Sequence, residues 1–372
     1  MHLGAPHPPG TSAGYRVAVT TGGVDPAWDA FLADIPSGHH IQTSLWGQLK
    51  ASQGWTPVRV QIRRDDELVA GVQVLERPLP VVGAVAYAPR GPVFGSTAPE
   101  PRRLMIECLN ELARDRGIRH LTVQPADNGQ PFIERLRDAG YRPSAAAVAP
   151  VATVQVDVTG EPDEILARMR KNHRRYVRHG LRQGMVGRVG DADDLTAFYQ
   201  LVLETSRRQR FEPFPFVHFT TLWEIFRPSG QVQLFLTEYD GQPVSGQLAI
   251  AFGDRVTAKT SGWTGRHGSL GPNHVMEWTT IQWARANGYR YYDLEGIDVR
   301  AASRRLNDEP LTDELRKSHS FYKLGFGGEV VMFPEAHVLV PNRALHAIYW
   351  TMFPELSRLR TVRSAIHRLR TR

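Results

Sequence analysis

At 372 residues with 41% hydrophobic content, the chain is long enough for two domains of ordinary size with substantial cores. Its single cysteine, Cys108, excludes a disulfide framework and cysteine-rich metal ligation, and points to a reducing, cytoplasmic compartment. The formal charge of +7 is unevenly spread: seven arginines face only Glu355 between Pro341 and Arg372, and Arg168–Arg178 is a second basic cluster, both suited to phosphate-bearing partners.

Met1–Gly14 is rich in Gly, Pro and His and lacks the apolar centre of a secretory signal, so residues 1–24 read as a flexible start. No apolar run reaches the roughly 18–20 residues that a membrane span requires. Asp25–Leu32 and Ser44–Ser52 read as short helices, the second opening on Ser44 as its N-cap. Val58–Ile62 and Leu68–Leu75 alternate around Arg64-Asp65-Asp66 as a hairpin, and Val81–Ala88 is a third strand. Arg102–Arg116 is an amphipathic helix stopped by Gly117, with a strand at 119–124 behind it. A helix at Pro131–Ala139, stopped by Gly140, and a strand at Ala152–Val158 complete a first domain over 25–158.

The second domain, 159–337, opens with one long helix from Pro162 to Gly184, whose stripe is Ile165, Leu166, Met169, Tyr176, Val177 and Leu181. Helices follow at about 192–207 and 217–226. Gln231–Glu238 and Pro243–Phe252 form a hairpin on Asp240-Gly241. Val256–Trp263, a helix at about 273–287 and a strand at Tyr289–Leu294 follow. Residues 338–372 read as a basic helical extension, interrupted near Pro354.

Ala113-Arg-Asp-Arg-Gly117-Ile-Arg119 recurs 171 positions later as Ala284-Arg-Ala-Asn-Gly288-Tyr-Arg290. Each copy ends a helix on Gly and leads straight into a strand, so the chain reads as a duplicated α/β domain with mixed, largely antiparallel sheets and flanking helices. A duplication of this kind creates a cleft between copies and lets one copy alone keep the chemistry.

Two chemistries find little support. The scattered histidines show no ligand spacing with carboxylates, so no metal is expected. A Gly-x-Ser-x-Gly elbow and a Gly-Lys-Ser/Thr phosphate loop are both missing. Arg266-His-Gly-Ser-Leu-Gly271 and Arg90-Gly-Pro-Val-Phe-Gly95 each precede a helix, as do the turns that bind the diphosphate of acyl-CoA through backbone N–H groups. Each turn has a non-Gly residue at its fourth position, Ser269 or Val93, and a nearby Pro that removes a donor.

Four blocks in order resemble the Fem family of peptidoglycan-bridge aminoacyltransferases. They are Gln42-Thr-Ser-Leu-Trp46 with Lys50 and Trp55; Tyr87-Ala-Pro-Arg-Gly-Pro-Val93; Gly271-Pro-Asn273 with Glu277-Trp278, leading to Tyr292-Asp293-Leu-Glu-Gly296-Ile297; and Phe321-Tyr322-Lys323-Leu-Gly325-Phe326-Gly327-Gly328. The resemblance covers about residues 40–335 and is most specific in the last block. It implies two tandem acyltransferase-like (GNAT) domains and transfer of an amino acid from aminoacyl-tRNA, as co-substrate without a further cofactor, to an amine of a muropeptide precursor or a peptide-like natural product.

Residue by residue, the resemblance implies that Lys50 and Arg208 hold the acceptor's diphosphate, with Trp46, Tyr87, Arg90 and Asn273 lining the acceptor site. Lys323 and Tyr322 would lie at the acyl-transfer centre, where a fixed cation stabilises the oxyanion of amine attack on an ester. Asp293, Glu295 or a substrate phosphate would accept the amine's proton. Arg174, Arg175 and Arg178 would meet tRNA phosphates. The chain carries Gly95 where the family commonly places a carboxylate just after Gly-Pro-Val-x. The basic extension is placed against tRNA or, peripherally, the inner membrane face, and DNA is not an expected partner. An acyl-CoA-dependent N-acyltransferase and a non-catalytic tRNA-binding module are the alternatives.

Overall fold

The computed structural model describes residues 14–79, 83–126, 130–144 and 147–341. The expected C-terminal helix, apart from its first residues, and most of the N-terminal segment fall outside them. The chain forms two compact units, one built from residues up to Ala149 with a return segment from Phe333, the other from Pro150 to Met332. Among the described residues, no helix is long and apolar enough to cross a membrane.

The first unit is a mixed sheet in the order Tyr15–Thr21, Thr56–Arg64, Glu67–Leu79, Gly83–Pro89, Ile118–Gln124, His337–Leu339 and Arg142–Pro143, with Val93–Phe94 paired to Glu67–Leu79. The hairpin expected at Arg64-Asp65-Asp66 is present, with both aspartates at positive φ. Gly83–Pro89 and Ile118–Gln124 run parallel, and helix Pro99–Asp115 connects them. That helix buries Cys108 together with Leu104, Met105, Leu109 and Leu112, the last four each contributing about 1.5–3 kcal/mol on leaving water.

The second unit repeats this plan in the order Glu329–Met332, Ala152–Asp157, Tyr291–Asp293, Arg255–Trp263, Gln242–Phe252, Val232–Tyr239 and Val186–Gly190. Arg255–Trp263 and Tyr291–Asp293 are its parallel pair, connected by helix Pro272–Ala286. The echoed segments occupy the same place in both units. Gly117 and Gly288 each end the connecting helix at positive φ, with N–H bonded to Arg114 O and Arg285 O respectively. No atom would meet a Cβ at either site, so the left-handed backbone alone favours glycine there.

Several expectations are corrected. Tyr15–Thr21 is an edge strand rather than part of a flexible start, because Tyr15 and Val17 pack into the first core. The boundary expected at 158/159 falls at 149/150, since Ala152–Asp157 pairs with Tyr291–Asp293 and Glu329–Met332 of the second sheet. His337–Leu339 returns to the first sheet, so the second domain ends before 337. Thr43, not Ser44, caps the helix Ser44–Ala51, its hydroxyl accepting from Trp46 N at 3.2 Å.

The long helix expected from Pro162 is two helices, Pro162–Arg168 and Lys171–Arg182, separated where Met169 and Arg170 turn extended (ψ 151° and 143°). The break is held from outside by Gly325 O, which accepts from Arg170 N at 2.8 Å, and from within by the Arg174 guanidinium, which caps Ala167 O and Met169 O. Nothing local in the sequence, such as a proline, announces it.

Helix Leu195–Gln209 lies against strand Arg255–Trp263 at Gly262, where an added Cβ would come within 2.5 Å of Leu201 C and Val202 N. Backbone atoms cannot swing aside, so Gly262→Ala is expected to cost about 1–3 kcal/mol of stability through overpacking. Urea denaturation of the variant checks this, and an unchanged midpoint would contradict the packing described.

Candidate active site

The second unit gathers its functional candidates around the end of one short helix. His319–Lys323 is capped at its start by the Ser318 hydroxyl, which lies 3.4 Å from Phe321 N. Its last carbonyls are capped by residues about 150 positions earlier: Arg170 donates to Phe321 O at 3.2 Å, and His173 Nε2 lies 2.9 Å from Tyr322 O. That contact fixes the Nε2–H tautomer of His173. The glycines that follow are required by closeness. A Cβ on Gly325 would fall 2.1 Å from the His173 ring, on Gly327 2.4 Å from Arg168 O, and on Gly328 2.6 Å from Gln155 O. The turn Gly325–Gly328 is therefore wedged onto the helix break and the adjoining strand.

This wedge aims Lys323 across the strand end Tyr291–Asp293. Its ammonium donates to the backbone oxygens of Glu295 and Gly296, the second at 2.9 Å. Two of its three protons are so engaged, leaving one for a ligand. Glu295 itself sits at positive φ and pairs its carboxylate with Lys259, which commits that side chain. Burial pulls the Lys323 pKa down, and Lys259 pulls the same way, while Glu295, Glu277 and Asp293 push it back up.

Asp293 holds the turn in shape. Its buried carboxylate accepts from Thr153 Oγ1 at 2.5 Å, Glu295 N at 2.7 Å and Gln155 Nε2 at 3.0 Å. A carboxylate satisfied by three donors is poorly placed to take a proton, so the geometry favours a positioning role over the proton-accepting one expected.

A different carboxylate is poised for that step. Glu277, on the buried face of helix Pro272–Ala286, accepts from the Tyr292 hydroxyl and, at 3.3 Å, from Gln247 Nε2. Burial raises its pKa to about 7, against the opposing pull of Tyr292, Lys323 and Gln247. Glu277 and Lys323 thus bias one another's charge. In the sequence Glu277 stands out only as part of the Glu277-Trp278 block. The available signal was an acid among the mostly apolar Val275, Met276, Trp278, Ile281 and Ala284 of one helix.

Tyr322 belongs to an aromatic cluster with His173, His274 and Phe326, its ring 5.0 Å from His274 and 5.1 Å from Phe326. Its hydroxyl is buried without a hydrogen-bond partner, and burial with nearby Glu277 holds it well above its ordinary pKa. It is therefore a neutral donor or acceptor awaiting a ligand group. Tyr176 stacks on His274 at 4.8 Å, and Gly271 lets it approach, since a Cβ there would lie 2.8 Å from Tyr176 Cβ.

The remaining candidates are dispersed. Asn273 is the second residue of helix Pro272–Ala286 and is half-buried. Arg208 is exposed at the end of Leu195–Gln209, stacked 4.7 Å over Trp263 and donating to Trp263 O at 3.1 Å. Arg175 and Arg178 point to solvent on Lys171–Arg182, whereas Arg174 is half-buried and its Nη1 caps the helix break.

In the first unit, Lys50 is buried, lies 5.5 Å over the Trp46 ring and donates to Gln53 Oε1 at 2.8 Å. Trp55 N bonds to Lys50 O, and the Trp55 ring meets Tyr87 edge-on at 4.7 Å, so Trp46, Lys50, Trp55 and Tyr87 form one neighbourhood. Gln42 anchors it, donating to Pro89 O at 2.7 Å and accepting from Gln73 N at 2.7 Å. Arg90 departs from expectation: only 4% exposed and at positive φ, it packs 3.2 Å over the Phe333 ring and shapes the core of its unit rather than an acceptor surface.

Neither candidate diphosphate turn is an open cradle. Gly91 N is spent on Gln124 O and Gly95 N on Val69 O; in the second turn Leu270 N bonds to His267 O and Gly271 N to Gly268 O, and Pro272 follows. The geometry weakens the acyl-CoA alternative.

Two sheets of the same plan, each with a parallel pair bridged by a helix, define a tandem GNAT-type acyltransferase fold. A family model described as an acetyltransferase (GNAT) domain matches residues 167–303, inside the second unit. The lipid II:glycine glycyltransferases of several Staphylococcus aureus strains are 24% identical over 223 residues, 57% of this chain and 53% of theirs. The chain thus spans about half the length of the curated relatives it matches. The crystal structure of FemX superposes with a TM-score of 0.76 at 18% identity, covering 88% of this chain and 99% of FemX. The chain is thus similar in sequence to the lipid II:glycine glycyltransferases and in fold to FemX.

Burial lowers the pKa of His173 to about 4 and of His274 to about 3, against 6.5 for a free imidazole. Both protonate more readily in the unfolded chain, so their stability contribution is complete above pH 6.5 and is lost as the pH falls through the folded values. The ring C–H resonances of both are expected to stay in the neutral position from pH 8 down to about 5. Midpoints near 6.5 in an NMR titration would contradict the buried site.

Proposed function

We propose that the chain is an aminoacyltransferase that moves an amino acid from aminoacyl-tRNA to an amine of a muropeptide precursor or a related peptide-like product. The observation that carries this reading is the Lys323 ammonium, held on two backbone carbonyls beside the neutral-range acid Glu277. Kinship to proteins named lipid II:glycine glycyltransferases supports a cell-wall acceptor and an amino-acyl donor.

In this reading the acceptor amine attacks the ester carbonyl of the charged tRNA, forming a C–N bond. The carbonyl oxygen becomes an oxyanion that the third Lys323 proton and the Tyr322 hydroxyl meet. The tetrahedral adduct then expels the ribose oxygen, which leaves as a hydroxyl carrying the proton given up by the amine. Glu277, titrating near neutrality, takes up that proton through the Lys323 ammonium or a bridging water and returns it. The ester is already activated, so positioning supplies much of the rate and no covalent enzyme intermediate is required. Exposed Arg175 and Arg178 meet tRNA phosphates, and the exposed Arg208 of the second unit meets the acceptor's diphosphate. Action on a membrane-anchored acceptor would place the protein at the inner membrane face.

Incubating the protein with candidate acceptors and a pool of charged tRNA is expected to yield, by intact-mass spectrometry, an acceptor one amino-acid residue heavier, and ribonuclease should abolish that product. Product formed after ribonuclease treatment with an acyl-CoA present would overturn the tRNA dependence. Replacing the fixed cation, Lys323→Ala, is expected to lower kcat by about 10²–10³-fold, as for loss of one oxyanion donor. Because the Glu295 and Gly296 carbonyls lose their donor, the melting temperature falls too, and kcat is measured well below the variant's own transition. A loss of only a few-fold would remove Lys323 from the centre of the reaction.

A further inference from the structure

The segment from Arg207 to Val217 has a composition that its own unit does not use. Arg207, Arg208, Gln209, Arg210, Phe211 and Glu212 are all exposed, as are Pro215, Phe216 and Val217. Phe211 is 46%, Phe216 36% and Val217 64% exposed, so three large apolar side chains face water within seven residues. Isolated exposed apolar residues need no explanation, but a group of this density marks a contact surface.

Local structure fixes their presentation. Helix Leu195–Gln209 ends with Arg210 in the left-handed conformation and Phe211 N bonded back to Ser206 O at 3.2 Å, which turns the chain outward. Pro213 and Pro215 keep the connection extended. Phe214 stacks on His218 at 4.2 Å, and Phe216 leans on Tyr199 at 5.2 Å, so the knuckle is braced at its base while its tip stays bare. Helix Phe216–Phe226 then starts with no acidic residue in its first turn. Among 207–217 three arginines face the single acid Glu212.

We propose that this knuckle docks the protein on an anionic phospholipid surface, with Phe211, Phe216 and Val217 entering the headgroup–acyl boundary and Arg207 and Arg210 meeting lipid phosphates. Aromatic side chains flanked by arginines match that boundary, where one end of each group is apolar and the other wet. The positive charge selects an anionic bilayer over a neutral one. The inference stands independently of the aminoacyl transfer proposed above. Where both hold, neighbouring Arg208 sits at the depth of a lipid-anchored diphosphate.

The test is flotation of the full chain with phosphatidylcholine vesicles, with and without about 30 mol% phosphatidylglycerol. Binding is expected only to the anionic vesicles. Phe216→Ser/Val217→Ser should weaken partitioning about ten-fold or more, and Arg207→Glu/Arg210→Glu should abolish the preference for anionic lipid. Circular dichroism melts of the Arg207→Glu/Arg210→Glu variant should match the parent, since both side chains are exposed, while Phe216→Ser/Val217→Ser melts slightly lower through the lost Phe216–Tyr199 contact and is assayed well below its transition. No vesicle binding by the parent overturns the proposal, as does undiminished binding by both variants, which would put the contact elsewhere. So would self-association of the parent, by sedimentation velocity, that the Phe216→Ser/Val217→Ser variant loses without any lipid binding. Transfer activity on a soluble acceptor is a separate readout, so its failure and the failure of lipid docking are distinguishable.

Discussion

The second unit depends on one constraint: the Gly325–Gly328 turn must sit directly on the break between Pro162–Arg168 and Lys171–Arg182. Each partner creates the other. Gly325 O accepts the Arg170 N–H that the broken helix would otherwise strand, and Arg170 and His173 cap the carbonyls that end the helix bearing Lys323. The glycines have no side chains because a Cβ would collide with an imidazole ring or with backbone, and those neighbours cannot move without undoing the caps. The most specific block of the sequence is therefore a packing requirement first, and its chemical value follows from where it leaves one lysine.

Around that lysine, polar groups divide into those consumed by structure and those left over. Asp293 and the Glu295 side chain are consumed, the first by three donors and the second by Lys259. Glu277 keeps a titratable proton near neutrality because burial destabilises its charge and Lys323 partly restores it. Tyr322 keeps an unpartnered hydroxyl. Groups left incompletely satisfied at real cost are the ones to which a reaction is best attached. Both copies of the turn before the connecting helix are consumed by structure: the Gly91 and Gly95 N–H groups in the first unit, and those of Leu270 and Gly271 in the second, are spent on carbonyls of their own unit.

Much of the architecture was legible from local patterns. The hairpins at Asp65-Asp66 and Asp240-Gly241, the connecting helices and their Gly117 and Gly288 stops were readable because each is decided within a few residues, by turn chemistry, periodicity and a left-handed C-terminal glycine. The helix break at Met169–Arg170 was not, because its cause lies about 150 residues away. Strand His337–Leu339 is not legible for a similar reason: three residues carry no periodicity, and only pairing with Ile118–Gln124 makes them a strand of the first sheet.

For the candidate site the same division holds. The sequence by itself determined the duplicated plan, the kinship, and the blocks from which Lys323, Tyr322, Lys50 and Trp46 were picked, since motif identity and spacing are properties of the chain. Tertiary structure alone decided that Asp293 is a clamp, that Arg90 is buried under Phe333 and Arg174 caps the helix break, and that Glu277 shares the field of Lys323. Hydrogen-bond satisfaction and desolvation depend on which groups folding brings within a few ångströms, and residue identity along the chain carries no record of that distance.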